Sequence, residues 1–151
     1  AADAQRMVTR RKSTDYAADR GTGLSKNMPC ILFADDDPTA CLLMQAALGA
    51  QGFNVTTVDN GNAALTAFSA KPFAMVLLDV DMPGLDGYLV CSELRKQYGD
   101  ALPIVLITGH DDRLAIETGF TAGASDFISK PINWSTLAQR LRPLLDKIQQ
   151  A

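Results

Sequence analysis

Five short apolar runs, each followed by a longer amphipathic stretch, leave this chain few ways to fold. The runs are CILFA (30–34), NVTTV (54–58), AMVLL (74–78), PIVLIT (103–108) and DFIS (126–129). Three are nearly continuous in apolar residues, as expected of strands covered on both faces. Helix candidates lie at about 38–50, 61–70, 87–98, 112–121 and 133–148. The last is clearest: Asn133 suits an N-cap, and Leu137, Leu141, Leu144, Leu145 and Ile148 recur at helical spacing. Pro143 inside it predicts a kink or an early end near Arg142. Gly49, Gly52, Gly99 and Gly123 stand where helices should stop. Strand and helix alternating five times predict an α/β fold, a doubly wound five-stranded parallel sheet with helices on both faces.

In open sheets of this kind the functional crevice lies outside the carboxyl ends of the strands. Asp35, Asp36 and Asp37 follow the first run, and Asp79 follows the third. Thr108 ends the fourth, with Gly109 after it, and Lys130 and Pro131 follow the fifth. Clustered carboxylates repel one another, and a hard divalent cation relieves that repulsion. Magnesium suits such a set, since it takes one or two carboxylates, keeps waters and accepts phosphate oxygens. An ammonium and a hydroxyl beside it suit a phosphoryl group. Gly109 offers a bare backbone N–H and room for a ligand. A carboxylate can itself accept a phosphoryl group as an acyl phosphate. Asp79 is best placed to do so, as the lone carboxylate ending a central apolar strand. Taken singly, each residue has a plainer use: Asp36 and Asp37 favour a helix start, Thr108 can cap, and Lys130 can simply be solvated. The joint placement at successive strand ends is what points to a site.

Composition narrows the classes. A chain of 151 residues, 47% hydrophobic and 21% charged, fits one globular domain with a sizeable core. A net charge of −3 gives no reason to expect nucleic-acid binding. No run approaches the ~20 apolar residues of a membrane helix, and the first residues lack a signal-peptide core. Cys30, Cys41 and Cys91 fall in or beside apolar runs and read as reduced core residues, so a cytoplasmic protein is expected. Residues 1–28 carry six basic side chains (Arg6, Arg10, Arg11, Lys12, Arg20, Lys26) against Asp3, Asp15 and Asp19. With few large apolar residues, they read as a basic flexible tail, linker or remnant. Residues 29–148 then form the domain and 149–151 its C-terminal end.

The motifs ILFADDDP, VLLDVDMPGLDG, PIVLITG and GASDFISKP, in this order, resemble the receiver domain of two-component response regulators across roughly residues 29–148. The resemblance implies a flavodoxin-like (βα)5 fold with strand order 2-1-3-4-5. It implies that Asp79 takes a phosphoryl group from the phosphohistidine of a sensor histidine kinase or phosphotransfer protein. Mg²⁺, with Mn²⁺ as a substitute, would be bound directly by Asp36, Asp79 and the backbone carbonyl of Asp81. Asp35 would act indirectly or through water. Thr108 would hydrogen-bond the phosphoryl group, Lys130 would pair with it, and Pro131 would follow a cis bond. Phe127 would change rotamer, altering the face made by the fourth helix, fifth strand and fifth helix. That face would address an output domain or partner, or a second copy in a phosphorylation-dependent homodimer. Phe127 stands where tyrosine is commoner in the family and can equally be core packing. His110 lies near the pocket, as a modulator of hydrolysis or as a plain loop residue. KPINW and the basic end of the last helix are similar to receivers joined to diguanylate cyclase or cyclic-di-GMP phosphodiesterase domains. The chain is then a stand-alone receiver or one excised from a larger protein, the latter preferred.

Other classes fit less well. LLDVDMPG matches the DxD signature of haloacid-dehalogenase-type phosphatases, but those place DxD on the first sheet strand and the acidic pair late. A metal-independent interaction module would not need Asp79, Thr108 and Lys130 together. A flavodoxin would not lead its first strand into acidic residues that repel a flavin phosphate.

Overall fold

The computed structural model describes residues 28–109 and 113–150, and contains the expected alternation. Its elements are β1 (Cys30–Ala34), α1 (Pro38–Gly49), β2 (Asn54–Val58), α2 (Gly61–Ala70) and β3 (Met75–Asp79). They continue as α3 (Gly87–Tyr98), β4 (Ile104–Thr108), α4 (Arg113–Ala122), β5 (Asp126–Ser129) and α5 (Leu137–Gln150). The strands form one parallel sheet in the order 2-1-3-4-5, as expected. Its register pairs Ala34 with Leu78, Asp79 with Ile107 and Thr108 with Ser129. All the carboxyl ends therefore meet along one edge of the sheet. The basic flexible tail expected at 1–28 falls, except for Met28, outside the described residues, as does His110.

The side-chain period of two divides the core. Leu32, Ala34, Val76, Leu78, Ile104 and Leu106 face α2 and α3, where Ala64, Phe68, Val90 and Leu94 cover them. Ile31, Phe33, Met75, Leu77, Val105 and Ile107 face α1 and α5, against Met44, Leu48, Leu137 and Leu141. β1, β3 and β4 are buried along their whole length, whereas β2 at the edge is partly exposed. This accounts for its weaker apolar pattern, NVTTV.

Two local expectations are corrected. Asn133 does not cap α5. Its Oδ1 accepts from the Ser135 hydroxyl at 2.8 Å, and its carbonyl accepts from Thr136 N–H at 3.3 Å, so a tight turn precedes the helix. The first helical bond near this end runs from Arg140 N–H to Thr136 O, at 3.2 Å. Nor does Pro143 end the helix, which runs on to Gln150. Pro143 is exposed, so the carbonyl one turn back that loses its N–H partner stands on the solvent side.

Arg95 on α3 has a structural part that its charge conceals. Its guanidinium donates to three backbone carbonyls, Gly123 at 2.7 Å, Gly99 at 3.0 Å and Leu102 at 2.6 Å, and to Ser125 Oγ at 3.0 Å. Gly123, at φ +105°, could not carry a side chain: a Cβ there would lie 2.6 Å from Arg95 Cγ. Arg95 thereby fastens the C-terminal end of α4 to α3 and to the start of β5.

Candidate phosphoryl and metal site

The three acidic positions arrive by different routes. Asp35 extends β1 by one residue, its N–H bonding Val58 O at 3.0 Å, and only 2% of it is exposed. Its Oδ1 accepts from Asp37 N–H at 2.9 Å. Asp37 turns the chain into α1 as the N-cap, accepting from Thr39 N–H at 3.0 Å, which fits its reading as a helix-start residue. Asp36, between them, is exposed and faces the crevice mouth. Asp79 is the last residue of β3, one position further into the ladder than the run 74–78 suggests, and is 2% exposed.

Carboxylate oxygens of Asp35, Asp36 and Asp79 all lie within 4.8 Å of one another. Lys130 enters from β5, its N–H bonding Thr108 O at 2.9 Å, and its Nζ stands 3.1 Å from Asp79 Oδ1. That is an ion-pair distance, and among the described residues the buried Asp79 Oδ1 has no partner that meets hydrogen-bond geometry. A buried carboxylate oxygen met only by one ion pair keeps a lone pair for a further cationic partner. Hard oxygen donors, mutual proximity and an unsatisfied buried oxygen fit a small divalent cation. Thr108 is 1% exposed at the end of β4. Gly109 stands beside it with open space where a side chain would be. The Lys130–Pro131 peptide is cis. Phe127 is half-buried on β5 and packs on the α3 side of the sheet. Asp81 lies two residues past β3, where its charge acts on Lys130.

The titrations follow from this crowding. Burial pushes the Asp35 carboxyl up to about 6, the Asp37 N–H bond opposes the shift, and the Asp79 charge adds to it. Burial disfavours the Lys130 charge, yet Asp79, Asp35 and Asp81 together hold its ammonium above the usual lysine value. A carboxyl raised by folding stabilises the fold fully below its ordinary pKa of 3.8, and that contribution is lost as pH rises through about 6. A cation that neutralises the cluster should therefore restore more stability at pH 7.5 than at pH 5. Thermal melts with and without 10 mM-scale Mg²⁺ at both pH values check this, and a larger Mg²⁺ shift at pH 5 would refute it.

Sequence reasoning missed Gly87. It opens α3 against the end of β3, where a Cβ would lie 2.6 Å from Asp79 O and 2.8 Å from Val80 Cα. Only a glycine lets the helix approach the backbone that carries Asp79. The signal was present in LDG, directly after the turn at Pro83 and Gly84, but a glycine at a helix start reads first as a helix boundary.

No helix among the described residues is long and apolar enough to cross a membrane. Residues 31–142 match the family model described as the response regulator receiver domain. The chain is 36% identical over 125 residues to a probable transcriptional regulator, ycf27, of Cyanidium caldarium, covering 83% of this chain and 49% of that protein. It is 39% identical over 120 residues to the sensor histidine kinase GacS of Pseudomonas protegens, covering 77% of this chain and 13% of that one. Among solved structures it resembles the response regulator protein TrrA of Thermotoga maritima in complex with Mg²⁺ and beryllofluoride. The TM-score is 0.70 at 29% identity, over 78% of this chain and 99% of that one. The chain thus spans about half the length of the first of these curated relatives and a small part of the second.

Proposed function

Because the chain belongs to the response regulator receiver domain family of two-component signalling, we propose that Asp79 is the residue on which it accepts a phosphoryl group. Phosphoryl transfer to an aspartate is the general function of this family. The observation that carries the assignment is the buried Asp79 Oδ1, 3.1 Å from Lys130 Nζ, beside Asp35 and Asp36 and without a hydrogen-bond partner among the described residues.

In the proposed reaction an Asp79 oxygen attacks phosphorus in line with the nitrogen of a partner's phosphohistidine. The N–P bond breaks, its electron pair stays on the imidazole, and an acyl phosphate forms on Asp79. The Lys130 ammonium balances the phosphoryl oxygens, and the Thr108 hydroxyl and Gly109 N–H donate to them. Asp36, Asp79 and the Asp81 carbonyl would hold Mg²⁺, or Mn²⁺ in its place, with Asp35 acting through water. The ion would supply charge neutralisation between carboxylates and phosphoryl oxygens.

The domain is in this reading a phosphoacceptor switch with self-phosphorylation and self-dephosphorylation, and no further turnover. Its donor is a sensor histidine kinase or phosphotransfer protein. The new charge, about −2 at pH 7, draws Thr108 inward and turns Phe127, changing the face formed by α4, β5 and α5. That face addresses an output domain or partner, or pairs with a second copy. The switch works in the cytoplasm.

The test is chemical trapping. Protein exposed to acetyl phosphate and Mg²⁺ is reduced with borohydride, which converts an acyl phosphate to an alcohol, and the altered residue is mapped by peptide mass spectrometry. Asp79 is the expected position. Modification at Asp36 or Asp81 instead would sink the assignment.

A further inference from the structure

Gly61 opens α2 in ordinary helical backbone, so room, and not conformation, calls for glycine there. A Cβ at this position would meet the carbonyl oxygen of Leu85, lie 2.7 Å from Leu85 Cβ and stand 2.8 Å from Val90 Cγ2. Real Cβ atoms do not approach so closely. Gly119 on α4 is crowded in the same way, since a Cβ there would meet Cζ of the Phe127 ring. What sets Gly61 apart is the neighbour it makes room for. Leu85 belongs to the loop between β3 and α3, which carries Asp81. That loop is closed at its base: Val80 N–H bonds Ile107 O at 3.0 Å, and Gly87 N–H bonds Val80 O at 3.2 Å. Val80 and Met82 are buried, whereas Asp81 is exposed. Gly84, at φ +75°, turns the chain back towards α2, where the backbone of Leu85 rests on the bare Cα of Gly61. The helix is held against this contact. Asn60 caps it, its Oδ1 accepting from Ala63 N–H at 2.7 Å, and Ala64 and Phe68 anchor it in the core.

We propose that Gly61 is a positioning residue for the cation: it lets the β3–α3 loop lie low enough to bring the Asp81 carbonyl to the ion beside Asp79. This rests on the receiver reading above, in which that carbonyl is a ligand. A side chain at 61 lifts Leu85, and a loop closed at its base tilts as one piece, carrying Asp81 with it. Asp79 stays in place, because its backbone is paired with Ile107 in the sheet. The ion then keeps its carboxylates and loses its carbonyl. Mg²⁺ demands near-octahedral geometry, so it tolerates a displaced ligand poorly. Residues that orient a metal's ligands are worth about 10- to 100-fold in affinity, and the lower figure suits a ligand that water can replace.

The experiment titrates Mg²⁺ alone against ¹⁵N-labelled protein and reads dissociation constants from the amide shifts of Asp79, Val80 and Asp81. It compares wild type, Gly61→Ala and Gly49→Ala, each with a thermal melt. Gly49 ends α1 with open space where a side chain would be, so its variant controls for a helical glycine replaced without crowding. Gly61→Ala should bind Mg²⁺ roughly tenfold more weakly, and Gly49→Ala as wild type does. A folded Gly61→Ala protein with wild-type affinity, whatever its melting temperature, would make Gly61 a packing residue only and overturn the proposal. So would an equal loss of affinity in Gly49→Ala. A wild type whose amides never respond would overturn the metal reading and the proposal together, a result distinct from a responsive wild type with an indifferent variant. Should Gly61→Ala fail to fold, nuclear Overhauser contacts in the wild type decide. The contact between Gly61 Hα and Leu85 Hβ should persist when Mg²⁺ is bound, and its loss on adding Mg²⁺ overturns the proposal.

Discussion

Asp79→Asn protein incubated with acetyl phosphate and Mg²⁺ takes up no phosphoryl group, its rate falling by at least about a thousandfold. The substitution keeps the shape of the side chain and removes the nucleophilic oxygen and its charge. The fold should survive, because the residue continues β3 through its backbone pairing with Ile107. A second effect accompanies the loss. The Asp79 charge helps to raise the Asp35 carboxyl, so the Asn variant should titrate Asp35 lower, closer to the ordinary carboxylate value. Intact mass spectra measure the first effect and carboxyl-carbon NMR titration the second. An adduct forming at the wild-type rate would remove Asp79 from the mechanism.

Lys130→Met separates charge from chemistry. Lys130 Nζ is the cation nearest Asp79 among the described residues, at 3.1 Å, with more than a third of the side chain in solvent. Without it the developing phosphoryl charge loses a fixed partner, and transfer from acetyl phosphate should slow by roughly a hundredfold. Mg²⁺ should bind more tightly to the same variant, because the cluster of Asp35, Asp36 and Asp79 no longer shares its charge with an ammonium. The two effects run in opposite directions, so a generally damaged pocket cannot imitate them. Stopped-flow phosphorylation and a Mg²⁺ titration provide the pair of measurements. Weaker metal binding together with slower transfer would show that Lys130 supports the pocket structurally.

The parts of the molecule that could be read in advance are those with a period or a strong end signal. Three buried strands announce themselves by unbroken apolar runs, and their carboxyl ends predict which side chains meet. The sequence could not say that Asp79 belongs to the strand, because the ladder is completed by Ile107, 28 positions away. Asn133 looked like a helix cap because its residue type suits that role, but the Ser135 hydroxyl claimed its side chain first. Pro143 looked like a helix end because a lost hydrogen bond matters most where water cannot replace it, and here the residue is exposed. Gly119 was illegible, and Gly87 readable only as a helix boundary, for a different reason. What defines them is the volume of a neighbour, the backbone of Asp79 in one case and the ring of Phe127 in the other.

The clamp made by Arg95 has a mechanical consequence. A helix fastened at one end is a lever with its fulcrum at the fastening. α4 has ten residues and so is about 15 Å long. A tilt of about 10° about Gly123 would carry the far end through roughly 2.6 Å while the fulcrum hardly moves. That far end follows Gly109 by only a few residues, so a small rotation would suffice for the switch proposed above. Loosening the clamp would trade this leverage for sliding, and the same pull at the loop would then deliver less travel to the outer surface.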